Sequence, residues 1–138
     1  MQDTQATEWK AGNTASLSKT ISEYDVYSFA GITGDFNPAH VNEEYAKSNR
    51  FGTRIAHGML SAGLISSVIG MKLPGPGTIY LEQQLRFAAP VFIGDTITAT
   101  ITIEDIDERN RMTLTTVCSN QNGKEVLQGK ALVIPPKQ

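Results

Sequence analysis

The sequence is poor in the residues that build disulfide frameworks and zinc centres. Its 138 residues include one cysteine, Cys118, and two histidines, His40 and His57. A single cysteine excludes an internal disulfide framework and fits a reducing cytoplasm. Because cysteine and histidine are so scarce, zinc is a poor fit, and we predict no metal.

Charge of one sign and long apolar runs are also lacking. The net charge is −2, and no long run of lysine or arginine occurs, which argues against a nucleic-acid partner. No apolar run reaches the roughly 18 residues of a membrane span. The polar first fifteen residues contain no apolar signal core. We therefore expect a cytoplasmic protein with no membrane partner.

The length predicts one domain, residues 1–138, with an irregular N-terminal arm over residues 1–14. A short strand is expected at 17–21. Ser22 and Asn42 are typical N-caps of two helices, the first running to about Ile32. Between His57 and Met71 no charged residue occurs, which predicts a helix buried on all sides.

The second half of the chain reads as strands. Residues 96–103 alternate between threonine and apolar side chains, and Asn122-Gly123 is a strong hairpin signal. Four consecutive antiparallel strands are predicted, at 78–88, 96–103, 112–119 and 125–134. The pattern favours an α+β fold in which a curved antiparallel sheet wraps a long central helix. Too few elements remain to cover the sheet, so we expect a dimer.

The segment from Thr33 to His40 places a carboxylate and an imidazole five residues apart. Gly34 frees the backbone and Pro38 restricts it, so the segment is predicted to be irregular and not helical. Such a loop can aim Asp35 and His40 at one water or substrate. The alternative is an ordinary surface turn without chemistry.

Three stretches together resemble the MaoC-like, R-specific enoyl-CoA hydratases. They are Tyr27–His40, His57–Met59 and Phe87–Asp95, within a resemblance that covers Leu17 to Ile134. The resemblance implies a hot-dog fold and a homodimer. Ala39 departs from the larger aliphatic residue that is frequent in relatives.

The resemblance implies a hydro-lyase of fatty acid or polyhydroxyalkanoate metabolism. It would add water in the syn sense to trans-2-enoyl-CoA and give (3R)-3-hydroxyacyl-CoA, with no cofactor. Asp35 and His40 resemble the catalytic pair, with Asp35 favoured as the base and His40 orienting the water. The sequence leaves this division of roles open.

Further site residues follow from the resemblance. The backbone N–H of Gly58 would bind the thioester carbonyl, Asn37 would hold the loop, and Ser66 would line the site. The acyl chain is expected to pass Leu64 and Ile65, which favours chains of about four to six carbons. We expect His57 to pack at the start of the central helix and not to act in catalysis.

Three alternatives stay open at this point. A dehydratase would run the same reaction backwards, with either CoA or acyl carrier protein as carrier. A hot-dog thioesterase fits less well, because those enzymes lack the Asp-Asn-Pro-His segment. A non-catalytic acyl-binding module is the third.

Overall fold

The computed structural model describes residues 8–137. Five strands and four helices occur in this range, and their bounds are as follows. They are β1 Thr14–Thr20, α1 Glu23–Thr33, α2 Pro38–Val41, α3 Glu43–Ala46, α4 Gly58–Met71, β2 Ile79–Phe87, β3 Thr96–Ile106, β4 Met112–Ser119 and β5 Glu125–Ile134. The predicted α+β fold is confirmed, and the predicted bounds of β4 and β5 agree with the structure.

The five strands form one antiparallel sheet in the order β1-β3-β4-β5-β2. Helix α4 packs across one face of it, against β1, β3, β4 and β5. The four apolar positions of β3 predicted to face the core are buried, namely Ile97, Ala99, Ile101 and Ile103. They share this core with residues such as Ile65 and Val68 of α4. The central helix and the wrapped sheet are therefore the predicted arrangement.

Strand β1 begins three residues earlier than predicted, at Thr14 instead of Leu17, and ends at Thr20. Its pairing with β3 explains the difference. On the outer face its hydroxyls meet the threonines of β3, with Ser18 Oγ 2.7 Å from Thr98 Oγ1. Such cross-strand pairs stabilise a strand that the hydrophobic pattern alone understates.

Helix α1 begins as its sequence predicts. The Ser22 hydroxyl accepts a hydrogen bond from the Asp25 N–H, and the Asp25 carboxylate accepts one from the Ser22 N–H. Ile21 and Val26 flank this capping box and are both fully buried. The helix ends at Gly34, whose φ of 83° lies in the left-handed region that glycine adopts easily. This cap turns the chain into the Asp35 segment.

Helix α4 is not buried on all sides, contrary to the sequence prediction. Met59, Gly63, Ser66 and Met71 are exposed, Met59 by 54% and Met71 by 69%. The sheet covers only one face of the helix, so the opposite face of the single chain lies open. We call these four residues the open face of α4. Within residues 8–137 no helix is both long and apolar enough to cross a membrane.

Candidate active site

The segment that carries Asp35 and His40 is held by its own side chains. The N–H of Asn37 donates to the Asp35 carboxylate (3.2 Å), and the N–H of Ala39 donates to the Asn37 side chain (3.0 Å). Contrary to the sequence prediction, His40 lies in a one-turn helix, α2. Pro38 occupies its first position, where its missing N–H costs nothing, and Asn37 caps it.

The structure brings Asp35 and His40 together. One side-chain ligand atom from each of Asp35, His40 and His57 lies within 4.8 Å of the others. That is a spacing one water molecule can bridge with two hydrogen bonds. Asp35 is exposed, and His40 is half-buried.

A backbone carbonyl fixes the orientation of the His40 ring. Nδ1 lies 2.7 Å from the carbonyl oxygen of Ile55, and a carbonyl only accepts, so Nδ1 carries the proton. With Nδ1 bound in this way, Nε2 is the ring nitrogen left to face water. The N–H of Ile55 donates to the Ala39 carbonyl (3.2 Å), which ties α2 to the same backbone.

His57 lies beneath the pair and does more than pack. Only 2% of it is exposed, and its Nε2–H donates to the Asp35 carbonyl at 2.9 Å. Its ring contacts those of Phe29 and His40, with centroids 4.7 and 4.0 Å away. We infer that His57 positions both the Asp35 backbone and the His40 ring. Its Nδ1 has no hydrogen-bond partner among residues 8–137.

A cavity of about 460 Å³ opens beside the pair, and His40 and Gly58 both line it. Gly58 is the first residue of α4, whose N-cap residue makes no side-chain capping bond. The first N–H groups of a helix have no intrahelical partner and attract negative charge. The Phe87 ring packs directly on Gly58, since a Cβ there would lie 2.5 Å from its Cδ1 and Cε1 atoms.

Of the predicted site residues, only His40 and Gly58 line this cavity. Ser66 is exposed on the open face of α4, so its role beside Asp35 stays a prediction. Leu64 lines a separate cavity of about 190 Å³ against α1, and Ile65 is fully buried in the core. The predicted acyl path past Leu64 and Ile65 therefore does not coincide with the cavity of His40.

Ser61 is a buried cavity residue that the sequence analysis did not predict. It is 1% exposed, lines the cavity, and its hydroxyl has no partner among residues 8–137. Five residues along a helix correspond to a rotation of about 140°. Ser61 and Ser66 therefore cannot both face the cavity, and only the contact of α4 with the sheet decides between them.

Arg54 connects the two helices that flank the Asp35 segment. Its guanidinium donates to Glu23 of α1 and to Glu43 of α3, both at 2.8 Å, and also contacts the Tyr27 hydroxyl. The bond from Arg54 lowers the pKa of Glu23. Bonds from Thr53 and then Arg54 lower the pKa of Glu43. Both carboxylates are thus ionised at neutral pH and join the elements on either side of the Asp35 segment.

Within residues 8–137, the group that could hold a metal ion is Asp35, His40 and His57, which combine a carboxylate with two imidazoles. One nitrogen of each ring is already committed to a backbone carbonyl, which leaves His40 Nε2 and His57 Nδ1. The sequence predicted no metal and no cofactor, and this stays a prediction.

The fold and this site define a hot-dog protein with a carboxylate–imidazole pair beside a helix N-terminus. The family model for a MaoC like domain matches residues 5–123. The chain belongs to this MaoC-like family, as the sequence resemblance predicted.

Two relatives and one solved structure illustrate the similarity. The chain is 57% identical over 128 residues to an (R)-specific enoyl-CoA hydratase of Rhodospirillum rubrum, covering 92% of this chain and 88% of the relative. It is 49% identical over 130 residues to a 3-hydroxybutyryl-CoA dehydratase of Methylorubrum extorquens, covering 94% and 82%. An (R)-hydratase from A. caviae involved in PHA biosynthesis matches with a TM-score of 0.91 and 40% identity, covering 95% of this chain and all of that one.

Proposed function

We propose that the protein is an R-specific enoyl-CoA hydratase, a hydro-lyase that converts trans-2-enoyl-CoA into (3R)-3-hydroxyacyl-CoA. The observation that carries the proposal is the convergence of Asp35 and His40 within reach of one water, beside the N–H end of α4. The relative from Rhodospirillum rubrum supports it. Fatty acid or polyhydroxyalkanoate metabolism is the setting we propose, and the cytoplasmic location stays a sequence prediction.

The reaction needs a base, a proton and a donor to an oxyanion. The pair removes a proton from water, whose oxygen then forms a bond to C3 of the alkene. The alkene electrons move towards the thioester oxygen, where the Gly58 N–H stabilises the developing negative charge. The enolate then collapses as C2 takes a proton from the pair. Water is consumed in full, since its hydroxyl goes to C3 and a proton goes to C2.

The orientation of His40 decides what it can do in this sequence. Because Nδ1–H is bound to the Ile55 carbonyl, Nε2 is the atom available to water. Asp35 is our favoured base. His40 orients the water and helps to relay the proton that Asp35 removes to C2.

Crotonyl-CoA in heavy water tests the proposal directly. We expect loss of the enoyl absorbance and a 3R alcohol. Deuterium at C2 and hydroxyl at C3 should lie on one face, because a single pair delivers both. Chiral chromatography and proton NMR of the product measure this. A 3S product, or anti addition, would contradict the proposed geometry.

The reverse reaction on a 3-hydroxyacyl thioester is the second candidate, supported by the relative described as a 3-hydroxybutyryl-CoA dehydratase. The same pair would act in the opposite order, so the site does not distinguish the two. The hydratase and the dehydratase are distinguished by initial rates in both directions, on CoA and on acyl-carrier-protein thioesters. A kcat/KM at least about tenfold higher for a carrier-protein substrate than for CoA would favour that dehydratase.

We further propose a homodimer in which a second copy covers the first half of β2 and the open face of α4. Strand β2 is an edge of the sheet and leaves apolar side chains exposed there, among them Ile79 (55%) and Leu81 (39%). Long apolar edges are normally paired or covered.

Light scattering should give twice the mass of one chain. Leu81→Lys should shift the protein towards monomer, because it buries a charge at the proposed interface. Ser16→Lys, on the opposite edge strand β1, is the matched control and should stay dimeric. A monomeric wild type would contradict the proposal.

A further inference from the structure

The walls of the 460 Å³ cavity show where it opens. Its floor consists of buried residues such as Ser61, Val91 and Leu127. The exposed residues among its lining come from two places, Arg50 and Phe51 on one side and the end of β2 on the other. These two segments therefore form the mouth of the cavity, and His40 and Gly58 lie on its wall.

Among residues 8–137, Arg50 is the one lining residue with a permanent charge. Among residues 8–137 no carboxylate lies within 4.0 Å of its guanidinium, although the protein as a whole carries a net charge of −2. Arg54, only four residues further on, forms ion pairs with both Glu23 and Glu43. Arg50 therefore has no acidic partner among residues 8–137, whereas the charge of Arg54 is neutralised by its ion pairs.

We propose that Arg50 binds a phosphate of the carrier that delivers the acyl thioester, a proposal that rests on the function proposed above. With the thioester held at Gly58, the pantetheine arm must leave the cavity through the mouth, between Phe51 and Phe87. The phosphates of an acyl-CoA follow that arm and therefore emerge beside Arg50. A guanidinium is the side chain best suited to bind a phosphate, through paired hydrogen bonds.

Kinetics on three crotonyl thioesters distinguish phosphate binding by Arg50 from a general effect of the substitution on the site. Crotonyl-N-acetylcysteamine has no phosphate, crotonyl-phosphopantetheine has one and crotonyl-CoA has three. In Arg50→Gln the KM for crotonyl-CoA should rise about 5-fold at low ionic strength, the size expected of one exposed ion pair. The KM for crotonyl-N-acetylcysteamine and kcat on every substrate should not change. Higher ionic strength should reduce the difference in the KM for crotonyl-CoA between Arg50→Gln and wild type.

The pattern across the substrates also locates the phosphate. If the KM in Arg50→Gln also rises for crotonyl-phosphopantetheine, the contact is assigned to the phosphate that CoA and acyl carrier protein share. An increase limited to crotonyl-CoA assigns it to the nucleotide phosphates. Arg50→Lys keeps the charge and should recover most of the loss. Arg109→Gln removes an exposed arginine outside the cavity lining and should behave as wild type.

Two results would overturn the role of Arg50. One is an unchanged KM for all three thioesters, and the other is an equal rise that includes the phosphate-free substrate. Calorimetric titration with free CoA gives a test independent of turnover, in which Arg50→Gln should bind more weakly than wild type. Equal binding would also overturn the proposal. A wild type that binds CoA but hydrates no thioester would contradict the proposed function alone.

Discussion

Replacing Asp35 by Asn or His40 by Gln is expected to lower kcat at least about 100-fold, the low end for a positioned acid–base group. Each change removes a proton acceptor from the pair while keeping a similar shape. The double variant should be scarcely slower than the slower single variant, because the two residues act on one water as a unit. Steady-state kinetics on crotonyl-CoA measure these effects.

The hydrogen bond between His40 and Ile55 allows a variant that tests the two ring nitrogens separately. An asparagine at position 40 has an amide N–H near the place of Nδ1, so it can still donate to the Ile55 carbonyl, but it has nothing at the place of Nε2. His40→Asn should therefore keep the thermal midpoint close to wild type and still lose activity. Asp105→Asn, an exposed change on β3, is the matched control. Near-normal turnover in either Asp35→Asn or His40→Asn would remove that residue from the mechanism.

The sheet could be predicted because local pattern and tertiary burial agree there. Ile97 to Ile103 alternate in sequence and are buried in the structure. The approach of Asp35 to His40 was also foreseeable, since Gly34 and Pro38 act on their own neighbours. These signals need no knowledge of the rest of the chain.

Other parts of the site depend on contacts between distant segments. The bond from His57 to the Asp35 carbonyl spans 22 residues, and no local pattern indicates it. That Ser61, and not Ser66, faces the cavity depends on the rotation of α4 against the sheet. The exposure of Met59 and Met71 could not be predicted for the same reason, because an uncharged helix sequence does not show which of its faces the sheet will cover.

Gly58→Ala is expected to lower kcat about 100-fold, the low end for loss of an oxyanion donor. A Cβ at this position would lie 2.5 Å from two atoms of the Phe87 ring. Either the ring or the first turn of α4 must therefore move, and both form the wall at which the thioester carbonyl would bind. Gly31→Ala is the matched control, because Gly31 lies in α1 with open space around its Cα, and its activity should equal wild type.

Phe87→Ala distinguishes this clash from a general intolerance of alanine at position 58. Removing the ring frees the space that the new Cβ needs, so Gly58→Ala in a Phe87→Ala background should cost less than about tenfold relative to Phe87→Ala alone. The same 100-fold cost in both backgrounds would show that Phe87 has no part in it. Wild-type kcat in the single variant Gly58→Ala would mean that the first turn of α4 does not hold the thioester.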